Sequence, residues 1–80
     1  MERELQEYYE ARFSTMATKG WIDFIEDVQN LYNTYNNIHT AESFEEFNKR
    51  KGQLDILNWV LTLKDASEQT YEELKNEEAV

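Results

Sequence analysis

The sequence predicts an all-α protein of three helices, an antiparallel hairpin of a second helix and a long third one with an N-terminal helix packed on it. Three observations carry this. The 80 residues contain no proline and two glycines, so little interrupts a helix. Apolar residues recur at three- and four-residue steps along most of the chain. The stretch from Ala41 to Lys75 is dense in Glu, Lys, Leu, Gln and Ala, which lose little side-chain freedom on becoming helical.

The first helix is expected over residues 2–17, where Leu5, Tyr8, Tyr9, Phe13 and Met16 follow one stripe. Ser14, Thr15, Thr18, Lys19 and Gly20 mark its end, with the glycine as the natural stop. The second helix, residues 20–37, has the cleanest period. Trp21, Phe24, Ile25, Val28, Leu31, Tyr32, Tyr35 and Ile38 share a face, with Asp23, Glu26, Asn30, Asn33 and Asn37 opposite. Asn33, Asn36 and Asn37 compete for backbone hydrogen bonds and announce its close. A connection of about Asn37 to Thr40 is short enough to make the flanking helices antiparallel neighbours.

The third helix, residues 41–75, is capped by Thr40 or by Ser43, the latter forming a capping box with Glu46; Thr40, which places Glu42 in the first turn, is preferred. At about 1.5 Å per residue the helix spans roughly 50 Å. Its apolar residues fall on two faces. Ile56, Trp59, Val60, Leu63, Ser67, Thr70, Tyr71 and Leu74 form one, and Phe47, Leu54, Leu57 and Leu61 lie nearly opposite. One neighbouring helix cannot cover both. The first face is expected to enter the core, which would hold Trp21, Ile25, Val28, Leu31, Ile56, Trp59, Val60 and Leu63. The second is left for the first helix or for another protein. Gly52 permits a bend or a close approach, and residues 76–80 are expected to fray.

A chain of this length makes one domain, residues 1–80, and buries only about 60% of its unfolded surface, a marginal amount. Two Trp, five Tyr and four Phe offset this with large contact areas. There is no cysteine, which removes disulfides and thiolate metal sites. The acidic, polar N-terminus MERELQEYYEARF argues against a secretory or transit signal, and no apolar run reaches membrane-spanning length. A net charge of −9 repels nucleic acid and anionic membranes. Its distribution is uneven: residues 41–52 are neutral and residues 53–80 carry −5.

Catalytic and metal chemistry find little support. His39 is the lone histidine and falls in a loop, so a triad or a His-based metal site would hang on one residue. Adjacent carboxylates such as Glu45 and Glu46, or Glu72 and Glu73, point about 100° apart on a helix and do not converge. Asp23, Glu26 and Asp27, or Glu68 with Glu72, could hold a divalent cation only loosely, and no EF-hand loop is present. Neither a catalytic residue nor a cofactor is therefore expected. Asn48-Lys49-Arg50-Lys51 is the single basic run; Glu45, Glu46 and Asp55 can pair with it at helical spacing, and no strand or Walker pattern surrounds it.

The segments GWIDFIEDV (residues 20–28) and FNKRKGQLDILNWVLTLKDASEQTYEEL (residues 47–74) resemble short helical proteins encoded by tailed, podovirus-like bacteriophages. The resemblance covers the last three quarters of the chain and rests on spacing and residue type. It implies a small accessory protein made late in infection and attached to the virion or to head and tail assembly, found in the host cytoplasm or the virion. Lys49, Arg50, Lys51, Gly52 and Gln53 match the most recognisable segment, and no catalytic or ligand residue is carried over.

The expected function is therefore a small acidic interaction protein that is not an enzyme. Phe47, Lys49, Arg50, Lys51, Leu54, Leu57 and Leu61 are its candidate protein-binding residues, and a virion component, a host protein or a second copy its partner. The competing expectation is an acidic inhibitor that presents spaced carboxylates to the nucleic-acid site of a host enzyme.

Overall fold

The computed structural model describes residues 1–37 and 40–78. It is all-α: α1 spans Arg3–Met16, α2 Lys19–Tyr35 and α3 Phe44–Glu78, with no strand among the described residues. The chain divides into two units, Met1–Ile22 with Thr62–Val80 and Asp23–Leu61. Ile38 and His39, on which the sequence placed an apolar contact and a loop histidine, lie outside the described residues.

In the first unit α1 runs antiparallel to the C-terminal part of α3. Met16 is 4% exposed and Tyr9, Arg12 and Phe13 are half-buried. On α3, Tyr9 and Phe13 meet Tyr71 and Arg12 meets Ser67. The Tyr71 ring lies 5.9 Å from Tyr9 and, edge to face, 5.5 Å from Phe13, separations at which aromatic pairs attract. The Arg12 guanidinium sits 4.7 Å above the Tyr8 ring, donates to the Tyr8 hydroxyl, and donates to Ser67 Oγ at 2.9 Å. Ser67 is 3% exposed, so a small hydroxyl stands where the Arg12 head must enter. Leu5 and Tyr8, expected on the buried stripe, are exposed; only the C-terminal half of α1 supplies well-covered positions.

The turn from α1 to α2 consists of Ala17 and Thr18. Gly20 is not the stop. No described residue takes a positive φ, and Gly20 lies within the first turn of α2. Ala17, with φ −87° and ψ −4°, ends α1 by donating to Phe13 O at 3.1 Å. Thr18 Oγ1 donates back to Thr15 O at 2.7 Å and accepts from Trp21 N at 3.2 Å, so one hydroxyl closes α1 and caps α2.

In the second unit α2 packs antiparallel on the N-terminal part of α3. The less exposed residues of α2 are Ile25, Val28, Tyr32 and Tyr35, and those of α3 include Phe47, Arg50, Leu54, Leu57 and Leu61. Both sets step by three and four, the spacing of antiparallel ridges that interdigitate. This departs from the expected choice of face at Ile56 and Trp59, while Val60, expected in the core, is half-buried. Ile56 and Trp59, placed in the core by the sequence, are 66% and 62% exposed. Phe47, Leu54, Leu57 and Leu61, a face left in the sequence for the first helix or for another protein, are half-buried in the pairing with α2. Leu31 and Phe24 are also exposed at the margin of the α2 stripe.

The start of α3 is set by Ser43 rather than Thr40. Ser43 Oγ accepts from Glu46 N at 3.1 Å, and Glu46 Oε2 accepts from Glu42 N at 3.0 Å, a capping arrangement in which two orphan donors are satisfied. The helix continues unbroken through Gly52, and through Asn76 and Glu77 to Glu78.

These placements fix which substitutions matter. Met16→Ala should cost about 2–3 kcal/mol, whereas Ile56→Ala should stay within about 0.5 kcal/mol of wild type in urea unfolding. Ser67→Ala, which leaves the half-buried Arg12 head short of an acceptor, should cost about 1–2 kcal/mol. A Cβ at Gly52 meets nothing within 4 Å, so Gly52→Ala should stabilise the helix by about 1 kcal/mol.

Candidate protein-binding face

The seven residues singled out in the sequence do not form one surface. Phe47, Leu54, Leu57 and Leu61 are half-buried in the α2–α3 pair, while Lys49 and Lys51 are exposed. Arg50 lies on the same 47, 50, 54, 57, 61 stripe as the leucines, and its head is turned to the connection before α3. Its Nη1 donates to Asn37 O at 2.8 Å and to Thr40 Oγ1 at 2.6 Å, and its Nη2 donates to Glu46 Oε1 at 2.8 Å. Thr40 in turn donates from its backbone N and from Oγ1 to the same Asn37 O, at 3.2 and 2.7 Å. The guanidinium therefore holds the connection together, as a planar fork of donors can.

The most exposed apolar residues of the second unit are elsewhere on α3. Phe44, Ile56 and Trp59 are 78%, 66% and 62% exposed. Beside Ile56 an open groove of about 490 Å³ is lined by Tyr35, Lys49, Gly52, Gln53, Ile56 and Leu57. Of these, Lys49 and Leu57 were singled out in the sequence as binding residues, and Ile56 was read as core. The signal that could have separated the two faces is the unbroken three–four spacing of Phe47, Arg50, Leu54, Leu57 and Leu61. It appears only when Arg50 is counted as part of the stripe, its alkyl stem packing while its head reaches polar partners. Lys49 forms no ion pair among the described residues, which leaves its ammonium at the groove for an incoming group.

A second, smaller concavity of about 420 Å³ lies in the first unit between Phe13, Lys64, Glu68, Tyr71 and Glu72. Its Tyr71 ring is already engaged by Tyr9 and Phe13, with Lys75 Nζ 5.2 Å from the centroid. Among the described residues no group of three or more His, Cys, Asp or Glu is placed to hold a metal ion, and no helix is long and apolar enough to cross a membrane.

If Arg50 anchors the connection, Arg50→Lys should keep the charge and lose the fork. Hydrogen exchange at the Thr40 and Glu42 amides should then speed up about fivefold, the equivalent of about 1 kcal/mol. Lys49→Ala should leave both amides unchanged.

Compared with family models, curated proteins and solved structures, the chain finds no match in any of the three.

Proposed function

We propose that the chain is a small acidic helical interaction protein that works through protein–protein contact rather than catalysis, as a virion or assembly accessory of a tailed bacteriophage. The observation that supports contact as its mode of action is the exposure of Phe44, Ile56 and Trp59 on α3 beside the groove at Gly52. Large apolar side chains left in water along one helix, next to a concavity that accepts side chains, are characteristic of surfaces that another protein covers. Trp in particular recurs among residues that dominate binding energy. The phage setting is supported by residues 20–28 and 47–74 alone. In this reading the binding residues are Lys49, Gly52, Ile56 and Trp59, with Phe47, Leu54, Leu57 and Leu61 supporting them from within the helix pair and Arg50 fixing the start of α3.

A photo-activated cross-linker placed at position 56 in cells that make the protein should give one discrete adduct, and the same group at Glu26 should give none. Association should survive about 1 M salt, where charges are screened beyond about 3 Å, because apolar contact carries it. Binding that collapses under those conditions and is captured from Glu26 instead would favour the acidic-inhibitor alternative.

A further inference from the structure

We infer that the occupant of this face is a second copy of the same chain, its α3 lying antiparallel across the first about a two-fold axis that crosses the Lys49, Gly52, Ile56 and Trp59 face at the height of residue 54. The inference rests on the binding-face reading above and names the partner.

Charge is the first argument. Each copy carries −9, so two copies repel unless they meet where charge is balanced. The α3 segment of the second unit is such a place: from Phe44 to Leu61 it holds Glu45, Glu46 and Asp55 against Lys49, Arg50 and Lys51.

Register is the second. Lys49, Gly52, Ile56 and Trp59 step by three, four and three, which makes a single helix seam. A two-fold antiparallel pairing matches residues symmetric about Leu54, so each contact occurs twice. Gly52 then faces Ile56 of the second copy, and Lys49 faces its Trp59. The first match sets a protruding aliphatic side chain over the residue that has none, at a point where an added Cβ meets nothing within 4 Å in its own chain, beside the groove walled by Tyr35. The second brings an ammonium without an ion-pair partner among the described residues to an exposed indole, an attraction that needs no opposite charge. The glycine, a cost to the isolated helix, becomes the site of closest approach.

The test is the solution mass of the full chain by light scattering and sedimentation, from low micromolar to near-millimolar concentration. Wild type should move from one to two chain masses. Gly52→Leu should weaken dimerisation at least tenfold while helicity and the monomer's unfolding midpoint are held or improved, an outcome a merely structural glycine would not give. Because the chain has no cysteine, register can be read directly: a mixture of Gly52→Cys and Ile56→Cys chains should form the mixed disulfide faster than either variant pairs with itself. A wild type that stays at one chain mass, a dimer indifferent to Gly52→Leu, or faster self-pairing of either cysteine variant overturns the inference. If the wild type is a monomer and position 56 still captures a different protein, the self-pairing falls and the binding-face reading stands. If position 56 captures nothing, both fall.

Discussion

A helix with apolar residues on two faces cannot be buried by one neighbour, and α3 is such a helix. Everything else in the chain answers that constraint. In one unit α2 covers the stripe of Phe47, Leu54, Leu57 and Leu61; in the other α1 covers the stripe of Ser67 and Tyr71. Each cover is a single helix against a single helix, so few side chains are enclosed fully, and among the described residues Met16, Val28 and Ser67 are the buried ones. Most of the apolar contact is half-shielded, and hydrophobic area alone stabilises such a pair weakly. Polar fastenings with directional geometry accordingly sit at the places where elements meet.

Two arginines supply these fastenings, and they work alike. Arg12 packs its stem and ring-facing head against Tyr8 and Tyr9 and reaches Ser67 on α3. Arg50 lies within an otherwise apolar stripe and spends its donors on Asn37, Thr40 and Glu46. A lysine in either position would offer charge without a fork. The basic run at residues 49–51 thus divides by helical position: its middle residue turns inward to the connection and its flanking lysines remain in solvent. Side chains adjacent in sequence point about 100° apart, so a run of like charges on a helix is seldom one feature.

The three helices and the absence of strands were legible in the sequence, because periodicity over ten or more residues is a strong signal and no proline contradicts it. Which face of α3 turns to α2 was not. Ile56 and Trp59 share a helical face with Val60 and Leu63 and so read as core, while Phe47, Leu54, Leu57 and Leu61 fall on the opposite face with equal regularity. In the fold Arg50 donates to Asn37 and Thr40 in the connection, and the stripe that contains it is the half-buried one. The misreading of Gly20 has a similar origin. Glycine ends many helices, but here Thr15, Ala17 and Thr18 already satisfy the last carbonyls and the first amides, and no left-handed residue is required. The groove beside Gly52 could not be read because Tyr35, which walls it, comes from another helix.

The shared hydroxyl of Thr18 has a practical corollary for anyone wishing to label or extend this molecule. With a two-residue joint whose one side chain serves the end of one helix and the beginning of the next, there is no slack between α1 and α2 to absorb an inserted residue. An insertion there would strip both helix ends of their partner. Reporter groups and affinity handles belong instead on the solvent-facing polar positions of α2, such as Glu26 and Asn30, where the backbone is regular and no side-chain fastening is at stake.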